Sequence, residues 1–104
     1  MGVHRITSES AKYYAAREKL VGSGITLLGL ASEKVSELDK KDLEAIGDLA
    51  AALLPYSPGH TGKLIPVVAR LFWNLSGSGE KEFEFIEIDK LEQMVEELKK
   101  KLEQ

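Results

Sequence analysis

The sequence contains no cysteine, and this absence excludes several kinds of chemistry at once. Its 104 residues offer no disulfide, no thiolate nucleophile, no iron–sulfur cluster and no cysteine zinc site. Only two histidines occur, His4 and His60, which are too few for most metal sites unless carboxylates complete the ligand set. We therefore expect no cofactor, no bound metal and no enzymatic activity.

Long apolar runs are also missing. No run approaches the roughly 20 residues that a membrane-spanning helix needs, and the first five residues lack the apolar stretch of a signal peptide. Apolar residues make up 43% of the chain and charged residues 30%, which is typical of a globular protein. We expect one cytoplasmic domain, residues 1–104, without membrane contact. The scarcity of Asn, Gln and Met beside abundant Lys and Glu resembles thermophile usage.

Charge is distributed unevenly along the chain, although the net charge is only −3. Residues 1–81 hold 10 Lys or Arg against 9 Asp or Glu, a net of +1, whereas residues 82–104 hold 4 against 8, a net of −4. No acidic residue occurs from Leu49 to Gly79. The sequence thus has a near-neutral body with an acid-free stretch, followed by an acidic tail.

Apolar spacing predicts a mainly α protein, a compact bundle of four to five helices. The predicted helices cover about 8–21, 25–37, 40–54, 64–75 and 90–103. Gly22 and Gly24 interrupt the first apolar stripe, and each costs about 1 kcal/mol relative to alanine in a helix. We expect a break or kink there; a close helix crossing that needs small side chains is the alternative. Asp39 is a good N-cap for the helix that follows it.

Residues 83–88 do not fit a helix, because their apolar side chains would point in all directions. Their aromatic and β-branched composition favours a strand. A strand needs a partner, and residues 3–7 are the other candidate. A short two-stranded β ribbon between these segments, within one chain or between two, is therefore left open by the pattern.

Trp73 is the most informative single residue. At about 100° per residue, the core face of the helix at 64–75 is predicted to be Leu64, Val68, Leu71, Phe72 and Leu75. Trp73 falls nearly opposite, beside Ala69, and an exposed Trp is typical of an interface. The candidate interface consists of Trp73, Ala69 and two aromatic residues of the possible edge strand, Phe83 and Phe85. The alternative is a helix buried on two sides, with Trp73 packed against another element.

A second candidate surface is basic. It would use five side chains to contact phosphate or nucleic acid: Lys63, Arg70, His60, Lys12 and Lys19. The loop from Ser57 to Lys63 resembles a phosphate loop only faintly. Ser57 occupies the place of the first glycine, Leu64 follows Lys63 where a hydroxyl is needed, and no strand precedes the loop. The competing interpretation of this loop is a rigid connection between helices. The competing interpretation of the five side chains is ordinary charge exposed to solvent.

Two functional hypotheses follow. The first is a non-catalytic protein-interaction module, a small subunit of a larger assembly or a homo-oligomer. The second is a nucleic-acid contact within a nucleoprotein complex. In size, charge and helicity the chain is similar to the small helical subunits of CRISPR effector complexes. That likeness is one of class and rests on no shared motif.

Overall fold

The computed structural model describes residues 8–103, and these form four α-helices. Their bounds are Ser8–Glu33 (α1), Lys40–Leu53 (α2), Gly59–Ser76 (α3) and Ile88–Leu102 (α4). Two single-turn 3-10 helices, Val35–Glu37 and Leu54–Tyr56, precede and follow α2. The prediction of a compact, mainly helical bundle is confirmed.

The second helix is the centre of the bundle. More than half of its residues are buried, including Ile46, Leu49 and the run from Ala50 to Leu53. It packs most extensively on α3, and it also contacts α1 and α4, which pack on each other. The third helix therefore has α2 as its main helical neighbour.

The first helix is continuous, so the expected break at residues 22–24 is absent. Gly22 lies on an exposed side of α1 with open space around it. Gly24 is buried, and a Cβ there would lie 2.5 Å from Cδ1 of Leu53. The small residue lets α1 approach α2 closely, which is the alternative that the sequence left open. Close packing of Gly24 against α2 offsets the helix cost of that glycine.

Helix ends follow local rules at some positions and depart from them at others. Asp39 caps α2 as expected, since its Oδ1 accepts a 2.8 Å hydrogen bond from the backbone N–H of Asp42. The third helix begins at Gly59, five residues before the expected start, with a φ of +50° that suits glycine. It ends at Gly77 in the left-handed conformation (φ +81°), where backbone N–H groups bond to the last carbonyls.

The segment between α3 and α4 corrects the strand prediction. Residues 83–87 pair with no strand within residues 8–103, and residue 88 already belongs to α4. Phe83 and Ile86 pack against the core instead, and the Tyr56 hydroxyl donates a 2.8 Å hydrogen bond to the Ile86 carbonyl. Side-chain packing and this side-chain hydrogen bond hold the segment. The proposed partner strand, residues 3–7, lies outside the described residues.

The fourth helix closes the bundle against α1 and α2. Its apolar stripe buries Leu91, Val95 and Leu102. Lys101 Nζ lies 2.6 Å from Oδ1 of Asp42, and Lys34 donates a hydrogen bond to the carbonyl of Leu102. The acidic tail of the sequence is thus joined to the body by cationic contacts at its end.

Candidate functional site

Trp73 is buried, with 1% of its surface exposed, so it is not available to a partner in this structure. Its indole Nε1 donates a 2.9 Å hydrogen bond to Oδ1 of Asp48 on α2. Lys81 Nζ lies 2.8 Å from the same carboxylate oxygen and 3.0 Å from Oε2 of Glu44. Ala69, its neighbour in the candidate interface, is fully buried as well. The alternative reading, Trp73 packed against another element, is the one that the structure shows.

A glycine on α2 makes room for the indole. A Cβ at Gly47 would lie 2.5 Å from Cδ1 and 2.8 Å from Nε1 of Trp73, well inside contact distance. Asp48 follows Gly47 directly, so one helix turn supplies both the space and the hydrogen-bond acceptor. The sequence signal for a buried Trp73 is the pair Gly47–Asp48 on α2. The spacing of apolar residues on α3 alone does not reveal that Trp73 is buried.

Hydrogen bonds stabilise the ionised side chains of this cluster. The hydrogen bond to Asp48 is the main cause that raises the pKa of Lys81 above its usual value, against an opposing effect of desolvation. The hydrogen bond from Lys81 lowers the pKa of Glu44. Both shifts stabilise the charged forms at neutral pH. The cluster is therefore a structural tie between α2 and the segment after α3.

The two phenylalanines of the candidate interface are placed differently. Phe83 is half-buried and meets Trp73 edge to face, with ring centroids 5.4 Å apart. Arg70 covers the Phe83 ring at 5.9 Å and bonds to Glu80 through Nε at 3.0 Å. Phe85 is 70% exposed and borders a groove of about 640 Å³ beside Tyr13. Of the four residues assigned to an interface, Phe85 is the well-exposed one.

The open surface is the opposite face of α3. The helix buries Ile65, Ala69, Phe72, Trp73 and Ser76. Three leucines predicted to face the core lie outside instead: Leu64 is 63% exposed, Leu71 52% and Leu75 43%. Val67, beside them, is 61% exposed, and Val68 is half-buried at the edge of the core. The predicted core face is right for Phe72, right in part for Val68, and wrong for the three leucines. The buried face carries Trp73 and Phe72, the two largest fully buried side chains, and Ala69 with Gly47 permits close approach of α2.

We call the exposed side chains Leu64, Val67, Leu71 and Leu75, together with the half-buried Val68, the outer stripe of α3. A contiguous exposed apolar patch of this kind is unusual on a monomer and is typical of a contact surface. One flank of the stripe carries Lys63 and Arg70.

The five basic candidates do not form one patch. His60, Lys63 and Arg70 are exposed on α3, but Arg70 is already paired with Glu80. Lys12 and Lys19 are exposed on α1, which makes little contact with α3. Acidic side chains share their grooves: Glu87 and Asp89 border the groove of Lys12, and Glu92 and Glu96 border that of Lys19.

The loop before α3 holds its own backbone and builds no phosphate cradle. Ser57 Oγ donates to the Leu53 carbonyl at 2.7 Å, and a Cβ at Gly62 would lie 3.0 Å from the Ser57 carbonyl oxygen. The N–H of Gly62 bonds to the Pro58 carbonyl. The competing interpretation, a rigid connection between helices, describes what these contacts do.

A metal site and a membrane-spanning helix are both absent from residues 8–103. Within residues 8–103 no group of three or more His, Asp or Glu side chains is placed to hold a metal ion. No helix in that range is both long enough and apolar enough to cross a bilayer.

A protein of Archaeoglobus fulgidus is 64% identical to this chain over 102 residues, which are 98% of this chain and 94% of that protein. The chain belongs to the family of that protein. The relative is described as an uncharacterized protein. No family model matches the chain, and no solved structure matches it.

Proposed function

We propose that the chain is a non-catalytic protein-interaction module, a small subunit that assembles through the outer stripe of α3. One observation carries this proposal: Leu64, Val67, Leu71 and Leu75 expose between 43% and 63% of their surface along one helix face. The core is filled without them, because Phe72 and Trp73 occupy the inner face. A partner that covers the stripe gives these side chains the burial that their type favours.

The free energy available from the stripe is moderate. Covering the exposed parts of four aliphatic side chains contributes about 5 kcal/mol, at about 1.5–3 kcal/mol for each side chain that passes from full exposure to full burial. Association costs on the order of 4–15 kcal/mol in lost translational and rotational freedom. A stable contact therefore needs a partner that brings a comparable apolar surface of its own.

The proposal is tested by the particle size of the protein in an extract of its native cells. We expect the wild-type chain to sediment in a particle larger than its own 11.5 kDa. Leu71→Glu places a charge at the middle of the stripe and should release the chain as a monomer. Lys100→Glu, on the exposed side of α4, is the matched control and should leave the particle intact.

Two results would argue against the proposal. A wild-type chain that sediments at its monomer mass in the native extract has no assembly to explain. A larger particle that survives Leu71→Glu assembles through another surface.

The geometry gives less support to a nucleic-acid contact. Arg70 is occupied by Glu80, and the lysines of α1 border acidic side chains. Lys63 and His60 are too few cations to produce the field that binds a phosphate backbone.

A further inference from the structure

We infer that the partner on the outer stripe of α3 is a second copy of the same chain, paired antiparallel about a two-fold axis. The inference rests on the proposed function and names its partner. Three features of α3 support it: the spacing of the stripe, the order of charges along its flank, and the way in which the stripe complements itself.

The spacing is that of a short coiled-coil seam. Leu64, Val68, Leu71 and Leu75 are separated by four, three and four residues, which is the a/d pattern of helices that pack side by side. The seam is about 16 Å long at 1.5 Å per residue. Val67 widens it on one side. A second helix with an apolar stripe of similar length can pack along such a seam.

An antiparallel second copy supplies that helix. With the two-fold axis beside the midpoint between Val68 and Leu71, Leu64 of one copy faces Leu75 of the other, and Val68 faces Leu71. Each large side chain then meets an apolar neighbour, and each contact occurs twice. Two-fold dimers with self-complementary surfaces are the commonest soluble oligomers.

The charges on the flank favour the antiparallel orientation. His60 and Lys63 lie near the start of α3, and Arg70 holds Glu80 on the same flank beyond its end. Parallel copies would bring Lys63 against Lys63. Antiparallel copies bring Lys63 to the C-terminal end of the other α3, where the helix dipole is negative and Glu80 follows. His60 and Lys63 are kept away from their own copies in this arrangement. Arg70 lies beside the two-fold axis and therefore near its own copy, but each Arg70 is paired with Glu80, which offsets its charge.

Symmetry also sets the size of the expected effects. Each substitution occurs in both copies, so its effect on the dimer is doubled. Truncation of a half-exposed leucine, Leu71→Ala, should raise the dissociation constant of the dimer about 30-fold. The sensitivity of the dimer to single changes in the stripe should therefore be high.

Cysteine pairing tests the orientation, because the chain has no cysteine of its own. The purified double variant Leu64→Cys/Leu75→Cys should form a covalent dimer of about twice the chain mass under mild oxidation. The two thiols cannot join within one chain, since about 16 Å of helix separates them. The single variants Leu64→Cys and Leu75→Cys should stay largely uncrosslinked, and Lys100→Cys measures random collision.

The outcomes separate this inference from the proposed function. Crosslinking of the single variants, at a rate above that of Lys100→Cys, would show a parallel pair and overturn the inference. A double variant that crosslinks no faster than Lys100→Cys, with wild-type protein that is monomeric by light scattering, would also overturn it. If the native-extract particle still depends on Leu71 in that case, the proposed function stands with a different partner.

Discussion

Trp73→Phe is the substitution that most clearly distinguishes the inner face of α3 from the outer stripe. Phenylalanine keeps an aromatic ring against Phe83, which Trp73 meets at 5.4 Å. It removes the indole N–H that donates to Asp48 at 2.9 Å, and it leaves unfilled the space of the larger ring. Asp48 keeps its contact with Lys81, so the carboxylate is not left without a partner.

The expected loss can be worked from these contacts. A hydrogen bond to a charged acceptor contributes about 1.5–3 kcal/mol, and the remaining Lys81 contact places this one near the lower value. The lost ring volume at a position that is 1% exposed adds about 1–2 kcal/mol. The free energy of unfolding should fall by about 3 kcal/mol, which lowers the Tm of a domain of this size by about 12–24 °C.

Urea unfolding followed by far-ultraviolet circular dichroism is the assay, because the substitution removes the tryptophan fluorescence signal. Leu71→Ala is the matched control on the same helix. At a dilution where dimers dissociate, it should change the free energy of unfolding by no more than about 0.5 kcal/mol. The reasoning is refuted if Trp73→Phe is neutral, or if dilute Leu71→Ala loses 2 kcal/mol or more.

Other expectations concern the contacts around this core. Gly47→Ala should lower the free energy of unfolding by about 1–3 kcal/mol, since the new methyl group would overlap the indole; Gly22→Ala, in open space on α1, should raise it by about 0.5–1 kcal/mol in the same urea assay. The stability that Lys81 adds should be constant at neutral pH and lost at both extremes. The lowered pKa of Glu44 means that its part is present above the ordinary pKa and disappears as pH falls through the folded value. The raised pKa of Lys81 means that its part persists below the ordinary pKa and disappears as pH rises through the folded value. The difference in Tm between wild type and Lys81→Met should accordingly be largest at neutral pH and should narrow as pH approaches 3 and as it approaches 11; a constant difference would contradict the assignment of these ion pairs. Asp39→Ala should cost about 1 kcal/mol through loss of the α2 cap, whereas an unchanged Tm would show that the 2.8 Å bond contributes nothing.

The second and fourth helices could be predicted from the sequence nearly to the residue. Both have one apolar stripe, and Asp39 marks the start of α2. The fourth helix begins at Ile88, two residues before its predicted start, and Asp89 lies in its first turn. The apolar spacing within a helix is sufficient to predict its buried face where one face is apolar and the other is polar.

The third helix shows where local pattern fails. Both of its faces are apolar, so periodicity cannot decide which one is buried. The decision depends on α2, where Gly47 makes room for Trp73 and Asp48 accepts its hydrogen bond. A contact with a residue far along the chain also explains why Gly24 does not break α1, since Gly24 packs closely against Leu53.

The extended segment after α3 was misassigned for a related reason. Its composition favours a strand, but Phe83 packs on Trp73 and the Ile86 carbonyl accepts a hydrogen bond from Tyr56. These contacts come from residues 10 to 30 positions away along the chain. No pattern within the segment itself reveals them.

The proposed assembly joins two copies of the chain through the outer stripe of α3. Sedimentation equilibrium of purified wild type beside Leu71→Glu tests it most directly. We expect about twice the 11.5 kDa chain mass for the wild type and the single chain mass for the variant, with both proteins equally helical. Equal masses for the two proteins would contradict the claim.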